Sequence, residues 1–235
     1  MALLLPKSVF IHIPKTGGQW VRAAIANAGI PTTESQCKWH EGRYSFITLV
    51  NGQGKNWRHT CYHATFEQTD CSNRFSFAFV RHPIGYYRSY WSYKMSVGWD
   101  QTSRFDSSVS DESFQKFAEK VLHFHQGRGW VSRIYAESID RPDGKAVCFI
   151  GKMEQLADDL VKALKQAGET FDEAALRNTP PLNVHGRDEK KEWNFHLSDD
   201  TERKIIASEE NALKRFHYPP VYETRNHQYC VESTS

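Results

Sequence analysis

The sequence lacks any long hydrophobic run, and its charges almost cancel. The apolar stretch in MALLLPKSVF ends at Pro6 and Lys7, far short of the ~18 residues of a membrane span, and it has no signal-peptide pattern. The 235 residues include 30 Lys and Arg against 28 Asp and Glu, a net charge of +2. This balance argues against a chain-wide basic surface for nucleic acid, although it leaves room for a local anion site. We expect neither a membrane nor a nucleic acid as a partner.

Cysteine is also scarce. The five cysteines form an odd set without a CxxC pair, which favours free thiols in a reducing cytosol. We therefore expect a cytoplasmic location. The five are Cys37, Cys61, Cys71, Cys148 and Cys230.

One group of these residues raises a zinc site as an alternative: His59, Cys61, His63 and Cys71. In a strand the first three would share one face at alternate positions, a poor geometry for tetrahedral coordination, and no second pair at ligand spacing follows. We therefore expect no metal.

Aromatic residues are abundant, with seven Trp, ten Tyr and fourteen Phe in a composition otherwise near the globular average. The length suits one large domain or two small ones. Because the chain has no repeat or obvious linker, we expect a single domain over residues 1–235. The aromatic-rich segments Tyr86–Trp99 and Phe124–Tyr135 could line a pocket, although such residues more often form the core.

Three buried strands are predicted, and a helix follows each one. The strands are Ser8–Ile13, Phe75–Val80 and Ala146–Ile150, and the helices are Gln19–Asn27, residues 83–94 and Met153–Ala167. This alternation predicts an α/β fold with a mainly parallel central sheet flanked by helices. Ligands of such folds bind outside the carboxyl ends of the strands.

The remaining segments are less regular. Helices are predicted at Ser110–His123 and, behind a serine cap, at Ser198–Phe216. Arg43–Val50 and Arg58–Tyr62 are candidate strands, and Asn178–Trp193 is predicted to be a loop.

Two motifs fall at predicted carboxyl ends of strands. In the segment Pro14-Lys15-Thr16-Gly17-Gly18, a glycine-containing turn before a helix directs backbone N–H groups at an anion, and Lys15 adds a positive charge. The alternative is an ordinary turn with a solvent-exposed lysine. The glycines follow the Lys-Thr pair, so the triphosphate loop GxxxxGK[ST] is not present.

The second motif is Arg81-His82-Pro83, followed by Ser89 about two turns into the next predicted helix. A guanidinium and a hydroxyl suit a terminal phosphate. An arginine at a strand end is by itself a weak signal, because it is more often a surface or ion-pair residue.

Taken together, IHIPKTGG and, about 65 residues later, FAFVRHPIGYYRSYW resemble the sulfotransferases that use 3′-phosphoadenosine 5′-phosphosulfate (PAPS). Three further segments are similar to this family: YHAT at 62–65, FIGKME at 149–154, and Asn183 followed by a long helix ending in FHY at 216–218. The resemblance covers roughly residues 8–218, and residues 219–235 form a C-terminal tail.

The resemblance implies a P-loop-like nucleotide-binding fold and a role for each matching residue. His63 would be the general base and Lys15 would stabilise the leaving phosphate, while Arg81 and Ser89 would bind the 3′-phosphate. The 5′-phosphosulfate would be held by Pro14, Lys15, Thr16, Gly17 and Gly18 and by the backbone at Gln19 and Trp20.

The chain departs from the family pattern at several positions. His82 stands where Asn is common, and Trp91 replaces a tyrosine. Tyr86 stands where the pattern has a second arginine; Arg88 is a candidate substitute, but two residues further along a helix it would point in a different direction. His59 is an alternative to His63 as the base, because some branches place their histidine about that far before the arginine.

The expected reaction moves a sulfuryl group from PAPS to a hydroxyl, with an amine less favoured, on a carbohydrate or small metabolite. The alternatives are a P-loop-type kinase and a non-catalytic module that binds a nucleotide or sulfated ligand. The run Arg187–Lys191 is either a solvated face or a loop that closes over the nucleotide. Structural roles are expected for Glu154, His123, His125 and Cys148, the last in a core strand.

Overall fold

The computed structural model describes residues 2–34, 65–67, 69, 71, 73–182 and 193–222. Several sequence predictions fall outside these residues: the strands Arg43–Val50 and Arg58–Tyr62, the histidines His59 and His63, Asn183, and the run Arg187–Lys191. The described part of the chain is an α/β structure, which confirms the predicted class at that level.

The described sheet has five strands: β1 (Leu3–Leu4), β2 (Ser8–Ile11), β3 (Thr33–Glu34), β4 (Phe75–Val80) and β5 (Phe149–Lys152). Their order in the sheet is β3-β1-β2-β4-β5. The centre is parallel: β2 pairs with β4, and β4 pairs with β5. The very short β1 pairs antiparallel with β2 and β3 at the other side.

Helices pack on both faces of this sheet, because successive strand residues point to opposite faces. The described helices are α1 (Gly18–Asn27), α2 (Pro83–Val97), α3 (Arg104–Val109), α4 (Phe114–Phe124), α5 (Trp130–Ile139), α6 (Leu156–Ala167), α7 (Glu173–Arg177), α8 (Asp199–Ser208) and α9 (Glu210–Arg215), with a 3₁₀ turn at Met153–Gln155. Phe10 and Phe77 pack against α1, α6 and α7 on one face of the sheet, and Val9 and Ala78 pack against the remaining helices on the other.

Two sequence predictions were wrong in detail. The third strand covers Phe149–Lys152 and not Ala146–Ile150, so Cys148 precedes the strand and is exposed instead of lying in the core. The helix predicted at Ser198–Phe216 is divided at Glu209. This carboxylate is fully buried and accepts hydrogen bonds from the N–H groups of Val131 (2.9 Å) and Ser132 (2.8 Å) at the start of α5, so it caps a different helix.

The parallel pairing of β2 and β4 brings the two anion motifs to the same edge of the sheet. Ile11 is in register with Ala78, so the segment after β2 and the segment after β4 leave the sheet side by side. A search of the described helices finds none with the length and apolar character that crossing a membrane requires.

Candidate anion-binding site

The loop after β2 turns sharply into α1. Lys15 and Gly17 both have positive φ angles, 64° and 83°, and Gly17 is the residue before the first turn of α1. Within the described residues no side chain caps this end of the helix, and first-turn N–H groups have no intrahelical partner. A Cβ on Gly18 would overlap the buried ring of His12, so the loop can pass this close only with glycine.

Two of the predicted site residues direct their side chains into the protein. The Thr16 hydroxyl is buried and donates a hydrogen bond to the Ile13 carbonyl at 2.9 Å. The Trp20 ring donates from Nε1 to the Thr179 carbonyl at 3.1 Å. Their contribution to a bound anion would therefore come from the main chain.

The Lys15 side chain points towards α2 instead. Its Nζ lies 3.1 Å from the centroid of the Tyr93 ring, a cation–π contact. Burial, together with the positive charges of Lys94 and Arg81, lowers the pKa of Lys15 to about 7. The ammonium therefore lies in a positive environment that a bound anion would relieve.

Arg81 follows β4 directly, and its main chain is fixed from both sides. The Tyr135 hydroxyl accepts from the Arg81 N–H at 2.9 Å and donates to the Arg81 carbonyl at 2.7 Å. The Arg81 Nε is buried and has no hydrogen-bond partner among the described residues. A buried guanidinium nitrogen without an acceptor is costly, and an anionic ligand would satisfy it.

Helix α2 places Gly85, Ser89 and Tyr93 in one column at intervals of four, and Arg81 lies just before the helix cap. Residues four apart are neighbours on a helix surface. A Cβ on Gly85 would lie only 2.9 Å from the Arg81 Nε, so the guanidinium lies along the column one turn before Ser89. Arg81, Ser89 and, through Tyr93, Lys15 are therefore brought to the same face.

Two cations of this site, Lys15 and Arg81, are not neutralised by a carboxylate among the described residues. Lys94, which is adjacent, forms an ion pair with Asp106 at 2.5 Å. Lys15 and Arg81, by contrast, form no ion pair with a carboxylate in the described ranges. Unneutralised cations at one edge of a sheet attract a multiply charged anion.

His82 and Glu154 position the end of β4. The His82 Nδ1 accepts from the Ile84 N–H at 3.2 Å and so caps α2, and its Nε2 is 3.0 Å from the Pro219 carbonyl. Since Nδ1 accepts, Nε2 carries the proton and donates. Glu154 accepts from the His82 N–H at 2.9 Å and from the Tyr218 hydroxyl at 2.8 Å. The expected structural role of Glu154 agrees with these contacts.

The aromatic-rich segments contribute mainly to the core. Trp130 is fully buried and receives edge-to-face contacts from three rings that are 1% exposed, those of Tyr86, Tyr87 and Tyr90. Trp91 is different, because it lines a cavity of about 370 Å³. The other lining residues are Glu112, Ser113, Phe114, Gln115, Trp193, Asn194 and His196.

Sequence reasoning missed two contributors to the site, Tyr93 and Tyr222. Tyr93 could have been found from its position four residues after Ser89, which is about one helical turn. Tyr222 offered no local signal: its ring reaches His82, with 4.7 Å between ring centroids, only through the packing of the chain end. The predicted base, His63, and its alternative, His59, lie outside the described residues.

In the ranges that the structure describes, no group of three or more His, Cys, Asp or Glu side chains is arranged to hold a metal ion. Comparison with protein-family models, with curated proteins and with solved structures finds no match to this chain.

Proposed function

We propose that this protein is a sulfotransferase with a P-loop-like nucleotide fold, which moves a sulfuryl group from PAPS to an acceptor hydroxyl. The observation that carries the proposal is the meeting of two cations at one sheet edge. Lys15 and Arg81 follow neighbouring parallel strands, the charge of Arg81 contributes to the lowered pKa of Lys15, and neither has a carboxylate partner among the described residues. PAPS carries phosphate at both its 3′ and 5′ positions, so it requires two such cationic positions.

The loop from Pro14 to Gly18 and the first turn of α1 would hold the 5′-phosphosulfate by main-chain N–H groups. Arg81 and Ser89 would hold the 3′-phosphate. The 3′-phosphate is what separates this donor from ATP, so Arg81 carries the specificity for the donor class.

The reaction would proceed by attack of the acceptor oxygen on sulfur. The bond between sulfur and the bridging oxygen breaks, and that oxygen keeps the electron pair as part of adenosine 3′,5′-bisphosphate. His63 would take the acceptor proton. Lys15 would stabilise the charge that grows on the departing phosphate.

The test is a turnover assay with PAPS and a panel of carbohydrates, phenols, alcohols and amines, in which mass spectrometry detects the sulfated product and adenosine 3′,5′-bisphosphate. Transfer that is lost in His63→Ala but retained in His59→Ala supports the proposal with its assigned base. The reverse pattern would move the base to His59.

The two alternative functions give different results in the same assay. Magnesium-dependent turnover of ATP without PAPS turnover would indicate a kinase. Binding of adenosine 3′,5′-bisphosphate without transfer to any acceptor would favour a non-catalytic module.

A further inference from the structure

Arg88 precedes Ser89 on α2, and its guanidinium lies against two aromatic rings. Its Cζ is 4.9 Å from the centroid of the Tyr222 ring and 5.4 Å from that of Phe195. The Nε of Arg88 is buried and has no hydrogen-bond partner among the described residues. Burial lowers the pKa of Arg88, and Glu202 is near enough to oppose that shift, but no ion pair joins the two residues. The rings therefore hold a guanidinium whose Nε donor has no acceptor among the described residues.

Arg88 lies near Arg81, which stands just before the start of α2. The Tyr222 hydroxyl and the Arg81 Nε are each 2.9 Å from the point where a Cβ would stand on Gly85. Tyr222 thus contacts Arg88 with its ring and approaches Arg81 with its hydroxyl. The charge of Arg81 is among the factors that lower the pKa of Arg88, after burial.

We propose that Arg88 is the second guanidinium of the 3′-phosphate subsite, so that Arg81 and Arg88 bind one phosphate monoester dianion from two sides of Gly85. This inference rests on the proposed function. It is particular to this chain, because the sulfotransferase pattern has its second arginine where the chain has Tyr86, and Tyr86 is buried in the core. Arg88 supplies the missing charge from a different turn position.

The chemistry favours arginine at this position over lysine. A planar guanidinium binds two phosphate oxygens at once and stacks on aromatic rings, whereas an ammonium acts as a point charge. Because Tyr222 and Phe195 already restrict the Arg88 side chain, little conformational entropy is lost when an anion binds.

The experiment is isothermal titration calorimetry of the full chain with adenosine 3′,5′-bisphosphate and with adenosine 5′-monophosphate. The variants are Arg88→Gln, Arg88→Lys and the control Arg203→Gln, which removes an arginine from the exposed side of α8. Arg88→Gln should weaken binding of the bisphosphate about 10- to 100-fold and leave the monophosphate within about twofold. Arg88→Lys should recover only part of the loss, and Arg203→Gln should bind as the wild type does.

The remaining results of this experiment would overturn either the proposed function or the role of Arg88 alone. If the wild type binds the bisphosphate no more tightly than the monophosphate, the proposed function fails and the role of Arg88 fails with it. If the wild type discriminates and Arg88→Gln and Arg88→Lys discriminate equally well, only the inference about Arg88 is overturned. Equal weakening of both nucleotides would also overturn it, since Arg88 would then act on the fold or the general field and not on the 3′-phosphate.

Discussion

The Nζ of Lys15 lies 3.1 Å from the centroid of the Tyr93 ring, and this contact joins the loop after β2 to α2, about three turns beyond Arg81. The ring attracts the ammonium without neutralising it. Lys15 is therefore held at the edge of the sheet as a partly buried cation, and its pKa is lowered to about 7.

The first prediction follows from this lowered pKa. A bound phosphate favours the charged lysine and raises its pKa, so binding near and above neutral pH takes up a proton. The affinity for adenosine 3′,5′-bisphosphate should therefore fall as pH rises from about 7 to about 9, by up to about tenfold per pH unit. Calorimetry in buffers with different ionisation enthalpies measures the proton uptake directly.

The control is Lys15→Met, which should bind adenosine 3′,5′-bisphosphate weakly and with a much smaller pH dependence. An equal pH dependence in both proteins would contradict the assignment.

The second prediction concerns Gly85, which leaves space for the Arg81 guanidinium on α2. In Gly85→Ala the new methyl group would displace the ends of the Arg81 and Tyr222 side chains, which are flexible. Stability should be unchanged or should rise by up to about 1 kcal/mol, because alanine favours the helix interior. Binding of adenosine 3′,5′-bisphosphate should nevertheless weaken about tenfold or more. Urea denaturation and calorimetry on the same variant separate the two effects. Lower stability together with wild-type affinity would show that Gly85 acts in folding alone.

The order of strands and helices could be predicted because the burial pattern is local. In β2, Val9 and Ile11 pack on one face and Phe10 on the other, and a short, fully apolar strand of this kind is typical of a parallel sheet. The position of Lys15 and Arg81 at one edge then follows from topology, since parallel neighbours have adjacent carboxyl ends.

The positions of the side chains in the site depend on tertiary packing, which the local sequence pattern does not determine. Whether residue 86 or residue 88 faces the phosphate edge depends on the rotation of α2, and this is set by the His82 cap and by the burial of Tyr86 against α5. The approach of Tyr222 to Arg81 and Arg88 depends on the path of the chain after α9. The division of the last helix at Glu209 likewise requires the start of α5, which is distant in sequence.

The third prediction is an acid-sensitive cap. Burial lowers the pKa of His82 below its ordinary value, and Nδ1 can accept from Ile84 only while the ring is neutral. The stabilisation by the His82 cap is therefore complete above the pKa that histidine has in the unfolded chain, near 6.5. It is lost as the pH falls towards the lowered pKa of His82 in the folded protein. His82→Asn keeps an N-cap acceptor but does not titrate. Its free energy of unfolding should decrease less than that of the wild type between about pH 7.5 and pH 5. His82→Ala should lose about 1 kcal/mol at neutral pH.

Urea denaturation at several pH values checks this comparison. His125 adds the same pH dependence to the free energy of unfolding of both proteins, because burial and Arg133 lower its pKa to about 4. Parallel pH curves for the wild type and His82→Asn would contradict the role of His82.

The fourth prediction concerns Glu209, whose carboxylate accepts hydrogen bonds from the N–H groups of Val131 and Ser132 and from the Ser132 hydroxyl. Glu209→Ala would leave these buried donors without acceptors and should cost about 2–4 kcal/mol of unfolding free energy. The matched control is Glu210→Ala, which removes only an exposed ion pair with Lys214 and should change stability by about 0.5 kcal/mol or less. Equal stabilities of the two variants in urea denaturation would show that Glu209 does not cap α5.

The central claim is that Lys15 and Arg81 bind different phosphates of one nucleotide. Its most direct test is calorimetric titration of wild type, Lys15→Met and Arg81→Met with adenosine 3′,5′-bisphosphate, adenosine 5′-monophosphate and adenosine 3′-monophosphate. Arg81→Met should lose about 10- to 100-fold in affinity for the two nucleotides that carry a 3′-phosphate, and Lys15→Met should lose as much for the two that carry a 5′-phosphate. Wild-type affinities for all three nucleotides in both variants would contradict the account.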